Sequence, residues 1–424
     1  MKKFTLFLSI VSFSCLLRAA DEVDYNRDVR PILAEKCYPC HGPDKKKRKA
    51  KLRLDDLAAA VKSGAITPGK PGDSELIERI FSDDPDERMP PKKSKAPLKE
   101  SEKEILRKWV AAGATTSRHW AFVPPKRPAL PTIKNASWPR NPIDHFIGAR
   151  LARKGLTLAP EADRRTLLRR ITFDLTGLPP TPAEIESFLN DPDPTACEHV
   201  IHRLLSSPAY GERWAQHWLD VARFAESDGF EFDQERKEAW RYRDWVIRAL
   251  NEDLPYDRFL RHQLAGDEVD PADEHARLAT GFLMAGPDMT DINLPTERRH
   301  EFLNKMTQTV GEAFLGLTLG CAQCHSHKTD PVSIEDFYRF RSFFAATVID
   351  PRKSKQLPPQ VKESRPDPPM GFVMEAGDFR RPGAPVRPAF PRVLNSAKAR
   401  IPVAPDGATT SYRRTALAEW LTRT

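Results

Sequence analysis

Apolar residues recur at helical spacing along most of the chain, and the elements they predict are nearly all helices. Val29, Ile32 and Leu33 share one face of a helix that Asn26 can cap and that runs directly into Cys37. Leu76, Ile77 and Ile80 follow Asp73 and Ser74, either of which can open a second helix. Ser101-Glu102-Lys103-Glu104 has the form of a capping box for a third, with Ile105, Leu106, Trp109 and Val110 turned inward and Gly113 ending it. Further on, Thr181 to Glu184 opens a helix through Ile185 and Phe188, and Ala196 to Leu205 makes another. Trp214, Trp218, Val221 and Ala225 then recur at helical spacing, predicting one apolar face. His217 and Asp220 lie beside that stripe one turn apart, and Arg223 and Glu226 continue the row. An apolar run from Ala313 to Leu319 leads to Cys321, and a later helix carries Phe337, Phe340 and Phe344 on one side.

Two stretches break this rhythm. Residues 122–142 and 351–405 are rich in proline and read as connectors. The predicted organisation is therefore mainly α: a small helical domain at 21–116, a linker at 117–142, a larger helical domain at 143–350, and a linker at 351–411. A last helix with Leu417, Trp420 and Leu421 begins in 412–424 and reads as the start of a truncated further domain. A length of 424 residues suits two or three domains.

Residues 1–20 have a different character. Met1-Lys2-Lys3 precedes an apolar run from Phe4 to Leu17, and small residues follow at Ala19 and Ala20. That is the pattern of a secretory signal cleaved after Ala19 or Ala20, with an uncleaved membrane anchor as its rival and a lipoprotein at Cys15 a poorer fit. The expected location is periplasmic or otherwise extracytoplasmic. The formal charge of +8 is modest, and Lys45 to Lys51 supplies much of it locally. This run is a solvated loop, or a basic rim that steers an acidic redox partner. No aromatic residues interleave it, so nucleic acid is not the expected partner.

Export changes how the six cysteines are read. Cys15 leaves with the signal and Cys197 stands alone, whereas Cys37, Cys40, Cys321 and Cys324 form two C-x-x-C pairs. Each pair is followed directly by histidine, His41 and His325. Two thiols at this spacing can join haem as thioethers, with the adjacent histidine under the iron as proximal ligand. A thioredoxin-like dithiol would need a strand before the first pair, but a helix leads in. Zinc would need more donors near it, and His41 is the only histidine before His119. Met89, set in a proline-bounded polar loop, suits a distal thioether ligand.

Residues from about Tyr25 to Ala114, through "NRDVRPILAEKCYPCHGPD", "PGKPGDSELIERI" and "RMPPKKSKAPLKESEKEILRKWVAAGA", resemble the planctomycete cytochrome C family. The resemblance implies a small class-I-like cytochrome c domain holding haem c, with Cys37 and Cys40 as attachment sites, His41 as proximal ligand and Met89 as distal ligand. Residues from about Trp138 to Asp350, through "RRITFDLTGLPPTPAEIESFL", "YGERWAQHWLDVARFAESDGFE", "AWRYRDWVIRALNEDLPYDRFLRHQLAGD" and "GLTLGCAQCHSHKTDPVSIEDFY", resemble the uncharacterised domain that accompanies that family. The closing "RRTALAEWLTRT" looks like the opening of a further associated domain.

The second pair admits haem c at Cys321, Cys324 and His325, or zinc held by these three with His327. On the haem reading, His327 donates to a propionate or a substrate, and Phe337, Phe340 and Phe344 wall the pocket. Distal candidates are Met284, Met289, His300, Met306 and His217, or an open position where chemistry can occur. His217 and Asp220 otherwise form a buried polar network, and with His327 they are the candidates for substrate chemistry. Glu226, Asp228, Glu231 and Asp233 around Gly229 read as a solvated helix end rather than a cation loop, since they lack the EF-hand order. The sequence thus predicts an exported c-type cytochrome for electron transfer, with haem at one or both pairs, a periplasmic or membrane redox partner, and a small-molecule or polymer-derived substrate if the larger domain is an oxidoreductase.

Overall fold

The computed structural model describes residues 23–43, 48–91, 94, 96–117, 120–133, 138–229, 231, 233–289, 292–328, 330–348, 360–394 and 401–423. The expected signal at 1–20 and Lys45 to Lys47 of the basic run lie outside them. The protein is 53% helical and 4% strand, which makes it mainly α. It divides into two compact units: residues up to Pro124 with Ser326–Pro331, and Pro125–His325 with Val332–Thr424.

The first unit holds α1 (Arg30–Lys36), α2 (Tyr38–His41), α3 (Leu57–Lys62), α4 (Glu75–Phe81) and α5 (Glu100–Ala111). Val29, Leu33, Ala60, Leu106 and Val110 are fully buried, and Ile66, Ile77, Ile80 and Trp109 pack with them around Cys37. Burying each large aliphatic side chain of this set is worth about 1.5–3 kcal/mol. The lead-in to α1 is a π-helical turn at Tyr25–Val29 capped by Asp24, whose Oδ1 accepts from Arg27 N at 2.7 Å. Asn26, the expected cap, instead donates to Ser117 Oγ at 2.8 Å. α5 also starts ahead of the predicted box: Glu102 accepts from Lys99 N at 2.7 Å, so Ser101 lies inside the helix.

The second unit runs α6 (Pro142–Arg153), α7 (Arg164–Thr176), α8 (Pro182–Asn190), α9 (Ala196–Leu205), α10 (Pro208–Val221), α11 (Trp240–Asn251), α12 (Tyr256–Val269), α13 (Glu274–Ala279), α14 (Pro295–Leu315), α15 (Ile334–Arg341) and α16 (Arg413–Thr422), with a hairpin of β1 (Gly371–Met374) and β2 (Pro382–Val386) between the last two. α8 opens on the predicted capping box, Thr181 with Glu184, and α9 has the predicted bounds. Leu168, Phe188 and Ala196 gather α7, α8 and α9, with Cys197 partly buried against them.

α10 departs from the predicted stripe. Trp214 is 41% and Val221 45% exposed, whereas Gly211, Ala215 and Ala222 are buried. The reason is close helix packing: a methyl group on Gly211 would lie 2.5 Å from Ile247 O of α11. Small residues therefore define the inner face, and of the predicted aromatics only Trp218 turns in, donating to Gln263 Oε1 at 2.7 Å.

The described part of the expected linker at 351–411 is not a linker. Residues 360–394 carry the hairpin, which packs on α15, and bury Val361, Val386 and Phe390. Antiparallel pairing supplied structure that proline content concealed. The helix expected in 412–424 forms as α16 and packs along α12. Arg414, fully buried, makes a bidentate pair with Asp267 at 2.6 and 2.7 Å and bonds to Glu363 at 3.0 Å, with Glu268 at 3.1 Å. Burial opposes its charge, but the carboxylates of Glu268, Asp267 and Glu363 outweigh burial and raise its pKa. Arg414→Ala leaves these carboxylates together in a dry site, and urea denaturation of the second unit should show a loss of about 3–5 kcal/mol.

Candidate functional site

Cys37 links α1 to α2 with helical dihedrals (φ −116°, ψ −46°), so the chain hardly leaves the helix at the first pair. Cys40 N and His41 N both donate to Cys37 O, at 3.1 and 2.8 Å. Cys37 and His41 therefore share a face one turn apart. Cys37 is buried in the core, Cys40 is exposed, and His41 is half-buried with Nδ1 enclosed and without a hydrogen-bond partner. Burial, helped by the charge of Arg79, lowers the His41 pKa against a backbone contact at Lys49. Burial, then Cys40, pushes the Cys37 thiol up to about 12. The site thus presents a neutral imidazole and a protonated thiol.

Gly42 ends this turn because nothing larger fits: a methyl group there would lie 2.4 Å from Tyr38 O. The chain then folds back over the pair, with Lys49 N donating to Cys40 O at 2.7 Å, Leu54 N to His41 O at 2.8 Å and Arg48 Nε to Gly42 O at 2.9 Å. Met89 is half-buried, and its N–H donates to Arg79 O at 2.9 Å. Arg79 is therefore the residue common to both predicted ligands, acting on His41 by charge and holding Met89 by its carbonyl. It was missed in the sequence, where nothing distinguishes it from other helix-surface arginines.

A haem bound through C-x-x-C needs two thiols and a neutral imidazole on one helical turn. Cys37, Cys40 and His41 meet these requirements. A family model described as Planctomycete cytochrome C matches residues 37–93. The chain carries a planctomycete cytochrome C domain. That domain implies covalently bound haem c and suggests a c-type cytochrome. A second family model, a protein of unknown function (DUF1549), matches residues 142–348, in the order expected from the sequence. No curated protein and no solved structure matches the chain.

The second pair lies in the DUF1549 domain, on a 3-10 turn, Leu319–Gln323, with Cys324 capping it. His325 N reaches Cys321 O at 3.4 Å, a looser form of the turn at Cys37. Cys321, Cys324 and His325 are exposed. Tyr338 Oη donates to Gln323 O at 3.0 Å, anchoring the turn to α15. Partial burial, with Glu301 and Cys321 nearby, raises the Cys324 thiol pKa. Among the described residues no three His, Cys, Asp or Glu side chains gather into a metal-binding group, so the four-donor zinc arrangement is not assembled. His327 is held in its own turn, its Nδ1 accepting from Asp330 N at 2.8 Å.

The other candidates sort by burial. His217 and Asp220 are exposed on α10 and form no buried network. Phe337, Phe340 and Phe344 are fully buried against one another and Phe343 rather than lining a cavity, the consequence of an aromatic core continued through Phe390 to Trp420. Met306 is buried, while Met284 and Met289 are partly so. His300 is the candidate whose neighbours are those of the pair. Its Nε2–H donates to Gly377 O at 3.2 Å, and a methyl group on Gly377 would lie 2.6 Å from Cys324 Sγ. Both His300 nitrogens are engaged, since Nδ1 faces Arg341 Nη2 at 3.4 Å, so this ring supports the site rather than offering a free ligand. In the acidic cluster, Asp228 pairs with Arg236 at 2.8 Å and Glu226 with Arg243.

Gly42→Ala tests the tight turn. The added methyl should lower the stability of the first unit by about 1–3 kcal/mol, read by thermal or urea denaturation, and reduce the yield of covalently loaded protein.

Proposed function

We propose that this protein is an exported dihaem c-type cytochrome that transfers electrons, with haem c on Cys37 and Cys40 under His41 and on Cys321 and Cys324 under His325. The observation that supports the second haem is the repeated backbone turn: in both pairs the histidine N–H points back to the carbonyl of the first cysteine, at 2.8 and 3.4 Å. That turn presents thiol, thiol and imidazole in the same sequence order. Bound haem supplies a one-electron iron couple; everything else is done by the chain.

Cys37, Cys40, Cys321 and Cys324 would hold haem as thioethers, each S–H adding across a vinyl double bond with no atom lost. His41, neutral because it is buried, would supply an unprotonated nitrogen as ligand, and Met89 would supply a thioether, a ligand type that favours reduced iron. The exposure of Cys40, together with the basic segment that follows it, gives an acidic partner a route to the edge of the site, with an association rate that falls as salt rises. We place the protein outside the cytoplasm, with a periplasmic or membrane redox partner, in keeping with its leader-like first residues and the setting of planctomycete cytochrome C domains. In the second unit the chain either relays electrons or oxidises a small-molecule or polymer-derived substrate, with electrons leaving through the first.

A pyridine haemochrome assay with intact mass on protein matured by a haem-attachment system should give two covalent haems per chain; one haem overturns the dihaem reading. Met89→Ala should keep both haems and lower the potential of one of them in a redox titration. An unchanged potential removes Met89 from the ligand set.

A further inference from the structure

The second unit contains a cavity of about 200 Å³ between the start of α14, the end of α15 and β1. Its apolar wall includes Leu303, Met370, Phe372 and Phe379, and its polar wall is Arg299, Arg341 and His300. The two guanidinium groups distinguish it. Arg299 spends its Nη atoms on the carbonyls of Thr347 and Ala345, at 2.5 and 2.6 Å, which fixes the side chain without neutralising it. Arg341 Nε is enclosed with no hydrogen-bond partner, and Nη2 has only the two long contacts to His300, both 3.4 Å. Among the described residues neither arginine forms an ion pair: Glu301, the carboxylate felt at Arg341, makes none with it, and Asp378, felt at His300, is taken by Arg380.

Elsewhere the same unit treats a buried guanidinium very differently, surrounding Arg414 with Asp267, Glu268 and Glu363. Charge left unpaired in a dry site is costly unless an anion meets it. Burial lowers the pKa of both cavity arginines, Arg341 to about 10, so both remain cations at neutral pH while lacking a counter-charge. His300 does not add a third: burial and Arg341 bring it to about 4, and as a neutral ring it accepts from Arg341 and donates to Gly377 O.

We propose that this cavity binds a carboxylate carried on an apolar body, the carboxylate received by Arg341 and Arg299 and the body by Leu303, Met370, Phe372 and Phe379. A planar guanidinium fork matches a carboxylate, and a mostly apolar pocket with a few convergent polar groups is the usual form of a small-ligand site. Two sources of that chemistry exist. One is a free organic acid, which would make the second unit a substrate- or effector-binding module. The other is a propionate of haem at Cys321 and Cys324, because Gly377 touches both Cys324 Sγ and His300. This second source alone rests on the dihaem reading.

The test is calorimetric titration of benzoate, with neutral benzamide as the matched control, into the full-length haem-loaded protein and into the Cys321→Ser/Cys324→Ser double variant. Benzoate should bind and benzamide should bind at least tenfold more weakly, as expected when a charge-assisted hydrogen bond is lost. Binding to both proteins assigns the site to a free acid. Binding only to the double variant assigns it to the propionate. Arg341→Gln should abolish benzoate binding with the far-ultraviolet spectrum unchanged, and Arg341→Lys should restore little of it. Should Arg341→Gln fail to fold, the wild-type comparison decides: equal binding of benzoate and benzamide, or none of either in both proteins, overturns the proposal. A haem count of one, with benzoate binding intact, sinks the dihaem reading and leaves the cavity standing.

Discussion

The first unit depends on one backbone constraint: Cys37 and His41 must remain helical long enough to share a face, and the chain must leave the helix immediately afterwards. The amides of Cys40 and His41 on Cys37 O impose the first condition, and the 2.4 Å clearance at Gly42 imposes the second. Everything around the site follows from that reversal. Because the chain turns back at Gly42, residues 48–54 lie over the pair and supply Lys49 and Leu54 as donors to its carbonyls. Because α1 is pinned by Val29 and Leu33 in the core, Cys37 is carried inside while Cys40, three residues on, faces out. Burial then sets the chemistry, holding the imidazole neutral and the thiol protonated, the states in which neither repels a large apolar cofactor.

The second unit handles charge in two opposite ways, and the contrast separates structure from function. Around Arg414 the chain provides a bidentate carboxylate, two further carboxylates and the Leu264 carbonyl. Such a charge-matched cluster fixes α16 against α12. Around Arg341 the chain provides a ring nitrogen and a carbonyl at 3.4 Å and the face of Tyr338 at 5.8 Å, but no carboxylate pair, and leaves Nε without a hydrogen bond. A packed protein seldom leaves a cation in that condition without something to meet it.

The helices that were legible in the sequence have local signals. Thr181 with Glu184 marks the start of α8 by side-chain chemistry that needs no tertiary partner, and α4 and α9 follow their apolar spacing. The two cysteine pairs were legible for the same reason, since C-x-x-C-H carries its geometry in five residues. What escaped was whatever depends on distant packing. On α10 the indole of Trp214 is a strong apolar signal, yet Gly211 and Ala215 face inward because α11 approaches too closely for anything larger. Proline in 360–394 outweighed the hairpin, whose pairing of Gly371 with Val386 spans too much sequence to show as periodicity. Asp24 caps the turn, while Asn26 binds Ser117, far along the chain.

The same distinction explains why the second pair is harder to read than the first. At Cys37 the turn is α-helical, its thiol belongs to a closed core, and Met89 is tied to Arg79, whose charge perturbs His41. At Cys321 the turn is 3-10, the thiols and imidazole are exposed, and the ring lying nearest in the packing, His300, has both nitrogens occupied. A haem held there would meet fewer apolar walls and no preassembled opposite ligand among these candidates. Greater solvent exposure and a weak or missing sixth ligand are the two features that distinguish a haem that reacts from one that only relays. The two pairs are therefore physically unlike: the first is enclosed in a core, and the second is open to solvent, its neighbour His300 lining the arginine-bearing cavity.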